Sequence, residues 1–274
     1  MDIRKILKEN NFRFNHSLGQ NFITDDVLLD NIVKASEVTS EDVVVEIGVG
    51  AGTLTRHLAD VAKRVISFEV DENLKPVLKQ TLADKDNVTV IFKDVLKMTD
   101  SELKEIIGEP FKVVANLPYY ITTPLIMRFL ESSLTVKSIT VMVQKEVADR
   151  LVATPNTADY GVITVAVDLR GDASIKMVVD KTNFYPMPKV DSAVVRIDVY
   201  DKYDGVDKQN VMKLVKCGFA MRRKVLTNNL KNTYNLDKTE CEKVLSTAGF
   251  SPQIRGEALS TQDYIKLYET MKKI

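Results

Sequence analysis

Apolar and polar positions alternate in blocks along most of this chain, and the blocks predict strands and helices in turn. VVVEIG (43–48) is a short β-branched run that ends in glycines, the pattern of a strand buried on both faces. A helix is predicted from Leu54 to Val61. VISFEV (65–70) follows as a second strand, and Asp71 is placed to cap a helix carrying Leu74 to Leu82. VTVIF (88–92) stops just before Asp94, and KVVAN (112–116) gives a fourth strand. Thr123-Pro124 reads as an N-cap followed by proline at the first helical position, opening the helix LIMRFLES. SITVMVQ (138–144) is a fifth strand, with a helix after it through Val152. SIKMVV (174–179) and SAVVRIDV (192–199) bring the total to seven, separated by the turn-rich segment Phe184 to Asp191. Such alternation predicts an α/β fold with a mostly parallel sheet and helices on both faces.

The strand signal stops at DKYDGVD (201–207), and only helical periodicity remains: 208–219, 223–232, 238–248 and a last helix from about 261. Asp237 with Glu240 forms a capping box, Gly249 a stop, and Ser260 a cap for the final helix. A boundary near 202 follows, with an α/β domain over 1–202 and a small all-helical domain over 203–274.

Composition narrows the chemistry. At 45% hydrophobic and 28% charged, the 274 residues match an ordinary globular protein, with no run apolar enough for a membrane span. The start, MDIRKILKENNFRFN, lacks the apolar core of a secretory signal, so a cytoplasmic location is expected. Cys217 and Cys241 stand apart without metal-ligand spacing, and the two histidines, His16 and His57, belong to no ligand-like cluster. No metal is expected, and zinc hydrolases and Ser-His-Asp enzymes are disfavoured. Net charge is zero, yet Lys208, Lys213, Lys216, Arg222, Arg223, Lys224 and Lys231 fall in one stretch without an acidic residue. Phosphate binding depends on such a local face and not on total charge.

Glu46-Ile-Gly48-Val-Gly50-Ala-Gly52 follows the first strand and opens a helix, so the backbone can turn tightly against a ligand. Glu69, at the end of the second strand, is placed to hold both hydroxyls of a ribose. These features serve NAD and S-adenosylmethionine equally well. Asp94, on the same carboxyl edge, favours S-adenosylmethionine, because a carboxylate there can accept the adenine amino group. Asn116-Leu117-Pro118-Tyr119 follows the fourth strand on that edge. An adenine N6 is a poor nucleophile because its lone pair is delocalised. An amide oxygen and a backbone carbonyl that each accept one N6 hydrogen favour a tetrahedral nitrogen, while the tyrosine offers the base a flat face. No histidine base is needed, since the methylated ammonium sheds its proton readily. A dehydrogenase would share the glycine turn and Glu69 but leave this tetrapeptide unexplained.

The ordered set G-Q-N-F (19–22), E-I-G-x-G-x-G (46–52), N-L-P-Y (116–119), Q-K-E-V (144–147), F-x-P-x-P-K-V-D-S (184–192), R-R-K (222–224) and R-G-E-x-L-S (255–260) resembles the rRNA adenine dimethyltransferases, and within them the bacterial small-subunit members. The resemblance runs from about residue 13 to the end. It implies a class I, Rossmann-like methyltransferase over 1–202, with an rRNA-binding helical domain over 203–274. The implied reaction is N6,N6-dimethylation of two adjacent adenines near the 3′ end of small-subunit rRNA, within a pre-ribosomal subunit. It also implies that Asn21, Ile23, Gly48, Glu69, Asp94 and Asn116 line the cofactor. Asn116 and the Leu117 carbonyl would hold the amine, with Pro118 fixing that carbonyl and Tyr119 and Phe184 sandwiching the base. Val49 stands where the family usually has proline. Arg222, Arg223 and Lys224 are expected on rRNA backbone, and the protein is expected to act as a monomer. Two related alternatives are a macrolide-resistance enzyme acting on large-subunit rRNA and a non-catalytic assembly factor. The LGQNF and RGEALS segments argue against the first, and the intact glycine turn, Glu69, Asp94 and Asn116 against the second.

Overall fold

The computed structural model describes residues 2–15 and 18–273, so His16 lies outside the described residues. Nine strands are formed among them: β1 (Phe22–Ile23), β2 (Val43–Ile47), β3 (Arg64–Glu69), β4 (Val88–Phe92), β5 (Phe111–Asn116), β6 (Val136–Gln144), β7 (Gly171–Val179), β8 (Phe184–Tyr185) and β9 (Ser192–Val199). Seven of them make one sheet in the order β4-β3-β2-β5-β6-β9-β7. β4, β3, β2, β5 and β6 are parallel neighbours, and β9 runs antiparallel to β6. The predicted mostly parallel α/β sheet is therefore observed. β1 and β8, too short for any periodicity, pair with each other in a separate antiparallel ribbon.

Strand order reverses beside β2: the chain runs outward through β3 and β4, then returns to place β5 on the other side. Such a switch point opens a crevice at the carboxyl ends of the strands. All five residues of β2 are buried, as expected of a central strand covered on both faces. Val44, Val65, Val114 and Val194 pack with the helices Asp26–Ser36 and Thr53–Ala59 in one core cluster. The alternate positions face the other way, where Phe111 meets Phe129 of the helix Thr122–Leu130 edge to face. That helix begins at Thr122, so Pro124 occupies its third position and not its first; the first turn tolerates proline because its N–H groups lack intrahelical partners. Asp71 caps a short 3₁₀ turn, Glu72–Leu74, which leads into the helix Lys75–Thr81.

By contact density the chain forms two compact units, residues 1–148 with 173–199, and residues 149–172 with 200–274. The expected division at residue 202 differs from this by one inserted segment, 149–172. Its helix Val162–Asp168 has a β-branched sequence that carries no clear helical periodicity. Long-range bonds tie the segment into the second unit: Tyr160 donates to the Leu259 carbonyl at 2.8 Å, and Lys202 pairs with Asp168 and Asp172. The predicted capping box at Asp237/Glu240 is formed, and so is the predicted cap at Ser260, which Asp263 completes into a second box. Cys217 and Cys241 are buried and unpaired. Among the described residues no helix is long and apolar enough to cross a membrane.

Within the second unit, Gly256 explains the R-G-E segment. A Cβ there would lie 2.3 Å from the Gly218 carbonyl oxygen, and Tyr264 donates to the Gly256 carbonyl at 3.0 Å. Gly256→Ala is expected to lower stability by about 1–3 kcal/mol through overpacking, read as a fall in the urea midpoint.

Glu46 is the one ionisable side chain in β2. It is 1% exposed, and its Oε2 accepts from Thr55 Oγ1 and Ser67 Oγ, each at 2.7 Å. Burial pushes its carboxyl up from 4.5 to about 8, with the charge of Glu69 adding to the effect against those two hydrogen bonds. Below pH 4.5 both folded and unfolded chains carry the proton. Between 4.5 and 8 the unfolded chain ionises first, so stability falls as pH rises. Glu46→Gln should remove that contribution, and the gap between variant and wild type should widen by up to about 1.4 kcal/mol per pH unit across the window. Parallel urea curves from pH 5 to 8 measure it, and a constant gap would refute the assignment.

Candidate active site

Parallel pairing fixes where the chemistry collects. Because β2, β3, β4 and β5 run the same way, Gly48, Glu69, Asp94 and Asn116 all leave the sheet at one edge. They line a cavity of about 480 Å³, together with Asn21, Ile23, Leu117, Pro118, Tyr119 and Phe184. Every expected cofactor and base-facing residue is thus brought to one place. Arg222, Arg223 and Lys224 belong to the second unit.

The glycine turn and the acidic residue of the next strand form one construction. Gly48 N–H donates to the Phe68 carbonyl at 2.8 Å, extending the β2–β3 ladder by a residue. Gly50 N–H then donates to Glu69 Oε2 at 3.0 Å, while Glu69 Oε1 accepts from the Val70 and Asp71 amides at 2.8 and 3.0 Å. These bonds orient the carboxylate and leave part of its capacity of roughly four acceptor sites for a ligand. Gly50 has φ +56°, and a Cβ there would sit 2.9 Å from the Phe22 ring, so glycine is required both by conformation and by that ring. Asp94 Oδ1 accepts from the Leu96 amide at 3.0 Å, which turns its carboxylate at the cavity edge.

Asn116 is oriented from outside the sheet. Its Nδ2 donates to the Asn21 carbonyl at 3.1 Å, and the Leu117 amide donates to the Met142 carbonyl at 3.2 Å. The bonds named leave Asn116 Oδ1 and the Leu117 carbonyl oxygen unused, two acceptors on consecutive residues. Tyr119 shares a hydrogen bond of 2.9 Å with Ser192 Oγ. Burial, with Asp191 adding to it, raises the Tyr119 hydroxyl above its ordinary value, so this ring remains neutral.

The segment 19–23 depends on contacts that sequence spacing does not reveal. Gln20 Nε2 donates to Asp71 Oδ2 at 2.7 Å, and the β1–β8 ribbon sets Ile23 opposite Phe184. That ribbon takes Phe184 out of the turn-rich segment predicted over 184–191. Phe184 is 4% exposed and joins the cluster of Ile23, Leu28 and Met142, while also lining the cavity. Gln20 and Ser192 stood within the quoted motifs and Asp71 as a helix cap, but nothing in their residue types pointed to the bonds they make here. Tyr120, which also lines the cavity, has its hydroxyl raised by burial and by the nearby charges of Asp94 and Glu69.

In the second unit the basic stretch is partly compensated. Arg222 Nε donates to Glu257 Oε2 at 2.7 Å and its Nη2 to the Thr157 carbonyl at 3.0 Å; Lys208 pairs with Asp201. Not all seven charges are therefore available to a partner. Arg223, Lys224 and Lys231 are exposed and show no ion pair among the described residues.

Comparison with known proteins agrees with this geometry. Residues 11–273 match the family described as ribosomal RNA adenine dimethylase. The chain is 43% identical to ribosomal RNA small subunit methyltransferase A of Clostridioides difficile, over 95% of this chain and 92% of that one. It is 44% identical to the protein of the same name from Bacillus pumilus, covering 98% and 95%. Among solved structures, a dimethyladenosine transferase from Plasmodium falciparum superposes with a TM-score of 0.80 at 26% identity, covering 92% of this chain and 98% of that one. The 23S rRNA methyltransferase ErmE superposes with a TM-score of 0.69 at 27% identity, covering 92% and 99%. With a sheet of this order, a site of this make-up and a match over nearly its whole length, the chain belongs to the ribosomal RNA adenine dimethylase family.

Proposed function

We propose that this protein transfers methyl groups from S-adenosylmethionine to N6 of adenines in small-subunit rRNA, giving N6,N6-dimethyladenosine at two adjacent positions. It acts as a monomer on a pre-ribosomal subunit in the cytoplasm. The observation that carries this reading is the orientation of Asn116: its Nδ2 is held by the Asn21 carbonyl, which leaves Oδ1 as an acceptor beside the Leu117 carbonyl in the cavity. Identity of 43% and 44% to small-subunit proteins, against 27% to ErmE, supports the small subunit over the large one.

The cavity suits the cofactor. Its volume of about 480 Å³ lies within the usual range for such ligands. Glu69 is oriented for a ribose, Asp94 for an adenine amino group, and the positive φ of Gly48 and Gly50 brings backbone close to the ligand. When bound, S-adenosylmethionine supplies a methyl group on an electrophilic sulfonium. The protein's part is to present the nucleophile. In the first transfer Asn116 Oδ1 and the Leu117 carbonyl each accept one N6 hydrogen, and in the second one of them holds the single hydrogen that remains; this turns the nitrogen lone pair out of the ring plane and stabilises its developing positive charge. Pro118, with its fixed φ, holds the carbonyl, and Tyr119 and Phe184 enclose the base. N6 would take the methyl group from the bound cofactor, with the sulfur keeping the bonding pair, and solvent at the cavity's opening would take the proton from the resulting ammonium.

Arg223 and Lys224 contact rRNA phosphates, while Arg222 serves chiefly to hold the turn through Glu257. Replacing Arg223 and Lys224 by alanine should weaken subunit binding and flatten its salt dependence by roughly one in log–log slope per lost contact. An unchanged slope would remove them from the interface. Asn116→Ala should lower turnover on the order of 10²–10³-fold while part of the cofactor affinity survives; near-normal methylation would exclude the proposed role. The overall reading is tested with labelled S-adenosylmethionine and small subunits lacking the modification. Dimethyladenosine at two adjacent positions is expected, and cofactor binding without transfer would overturn it.

A further inference from the structure

One base in the cavity does not by itself hold the RNA strand on either side of it, and contacts to flanking nucleotides govern which base an enzyme of this kind accepts. Residues 185–190 lie between Phe184 in the cavity wall and Ser192, whose Oγ is bonded to the Tyr119 hydroxyl at 2.9 Å. Met187 is three residues from Phe184, within about 11 Å by chain reach alone. Val190 is two residues from Ser192. Both side chains are turned outward, Met187 at 60% exposure and Val190 at 45%. Lys189, between them, is exposed and pairs with no carboxylate among the described residues.

This segment is fixed in place. The β1–β8 ribbon holds one end. At the other, the Lys145 amide donates to the Asp191 carbonyl at 3.0 Å and the Lys181 amide to Asp191 Oδ1 at 3.1 Å. Pro186 and Pro188 set φ at two of the intervening positions. Tyr185 carries the Arg4 guanidinium over its ring at 4.6 Å, but the other two exposed apolar side chains of the segment, bracketing Lys189, gain nothing from water. They match a nucleotide, which offers an apolar face and an anion side by side.

We propose that Met187 and Val190 form a platform for the base next to the methylated adenine, with Lys189 on the adjoining phosphate. This rests on the reading of the cavity as a site for adenine in RNA. A polarisable thioether and a branched aliphatic group contact any base face, so the platform senses that a neighbour is present and not which base it is.

The test uses the full-length protein and small subunits reconstituted on rRNA with a synthetic 3′ segment, carrying an abasic site at one or the other neighbour of the target adenine. For the wild type, an abasic neighbour on one side should lower kcat/KM on the order of tenfold. The double variant Met187→Ser with Val190→Ser should lose about as much on intact RNA and little more on the abasic RNA. Its S-adenosylmethionine affinity should match the wild type, which reports an intact fold. A double variant as active as wild type on intact subunits, or as sensitive to the abasic site, overturns the platform. If the wild type methylates no adenine in intact subunits, the reading of the cavity itself fails and takes the platform with it.

Discussion

The parallel hydrogen-bond ladder joining β3, β2 and β5 is the constraint from which the site follows. A parallel ladder requires each strand to start at the same edge, so every strand also ends at the same edge. Glycine turn, Glu69 and Asn116 therefore meet without any direct bond among all three. The reversal of strand order beside β2 keeps helices from covering that edge at one point, and the cavity lies there. The ladder runs on into the turn through Gly48, which couples the position of the Gly50 amide to the position of Glu69.

Onto this rigid edge the chain adds an element with little secondary structure. Residues 19–23 are fixed by a side-chain bond to Asp71, the Phe22 ring against Gly50 and a two-residue ribbon with β8. Each contact is modest, since a typical hydrogen bond contributes about 1 kcal/mol net. Together they place the Asn21 carbonyl where it decides which end of the Asn116 amide faces the cavity. The orientation of the Asn116 amide thus depends on a segment nearly a hundred residues away in sequence. The same ribbon carries Phe184 into the core, so one wall of the cavity is backed by the hydrophobic cluster behind it.

In the helical unit, the distribution of charge is decided by pairing and not by count. Glu257 lies outside the basic stretch in sequence but against Arg222 in space, and Asp201 neutralises Lys208. Exposed and without an ion pair among the described residues are Arg223 and Lys224, on the turn 221–224, and Lys231. The close approach of Gly218 to Gly256, locked by Tyr264, holds that turn against the R-G-E segment. Packing of small residues and electrostatics of the surface are here the same feature.

Local residue pattern was enough to place the seven strands of the main sheet, its mostly parallel character and the residues at the strands' carboxyl ends. Period and turn chemistry are local, and β-branched runs ending in Gly48, Asp94 or Asn116 can be read without knowing what packs on them. It also carried the family resemblance, because those motifs keep their order along the chain. Tertiary structure alone decided the rest. β1 and β8 have two residues each and exist only because they pair with each other. The segment 149–172 joins the helical unit through bonds to residues near 200 and 259, which no local pattern encodes. Burial makes Glu46 hold its proton, and a remote carbonyl orients Asn116. These depend on which atoms meet across long sequence distances, and such meetings are fixed only when the whole core closes.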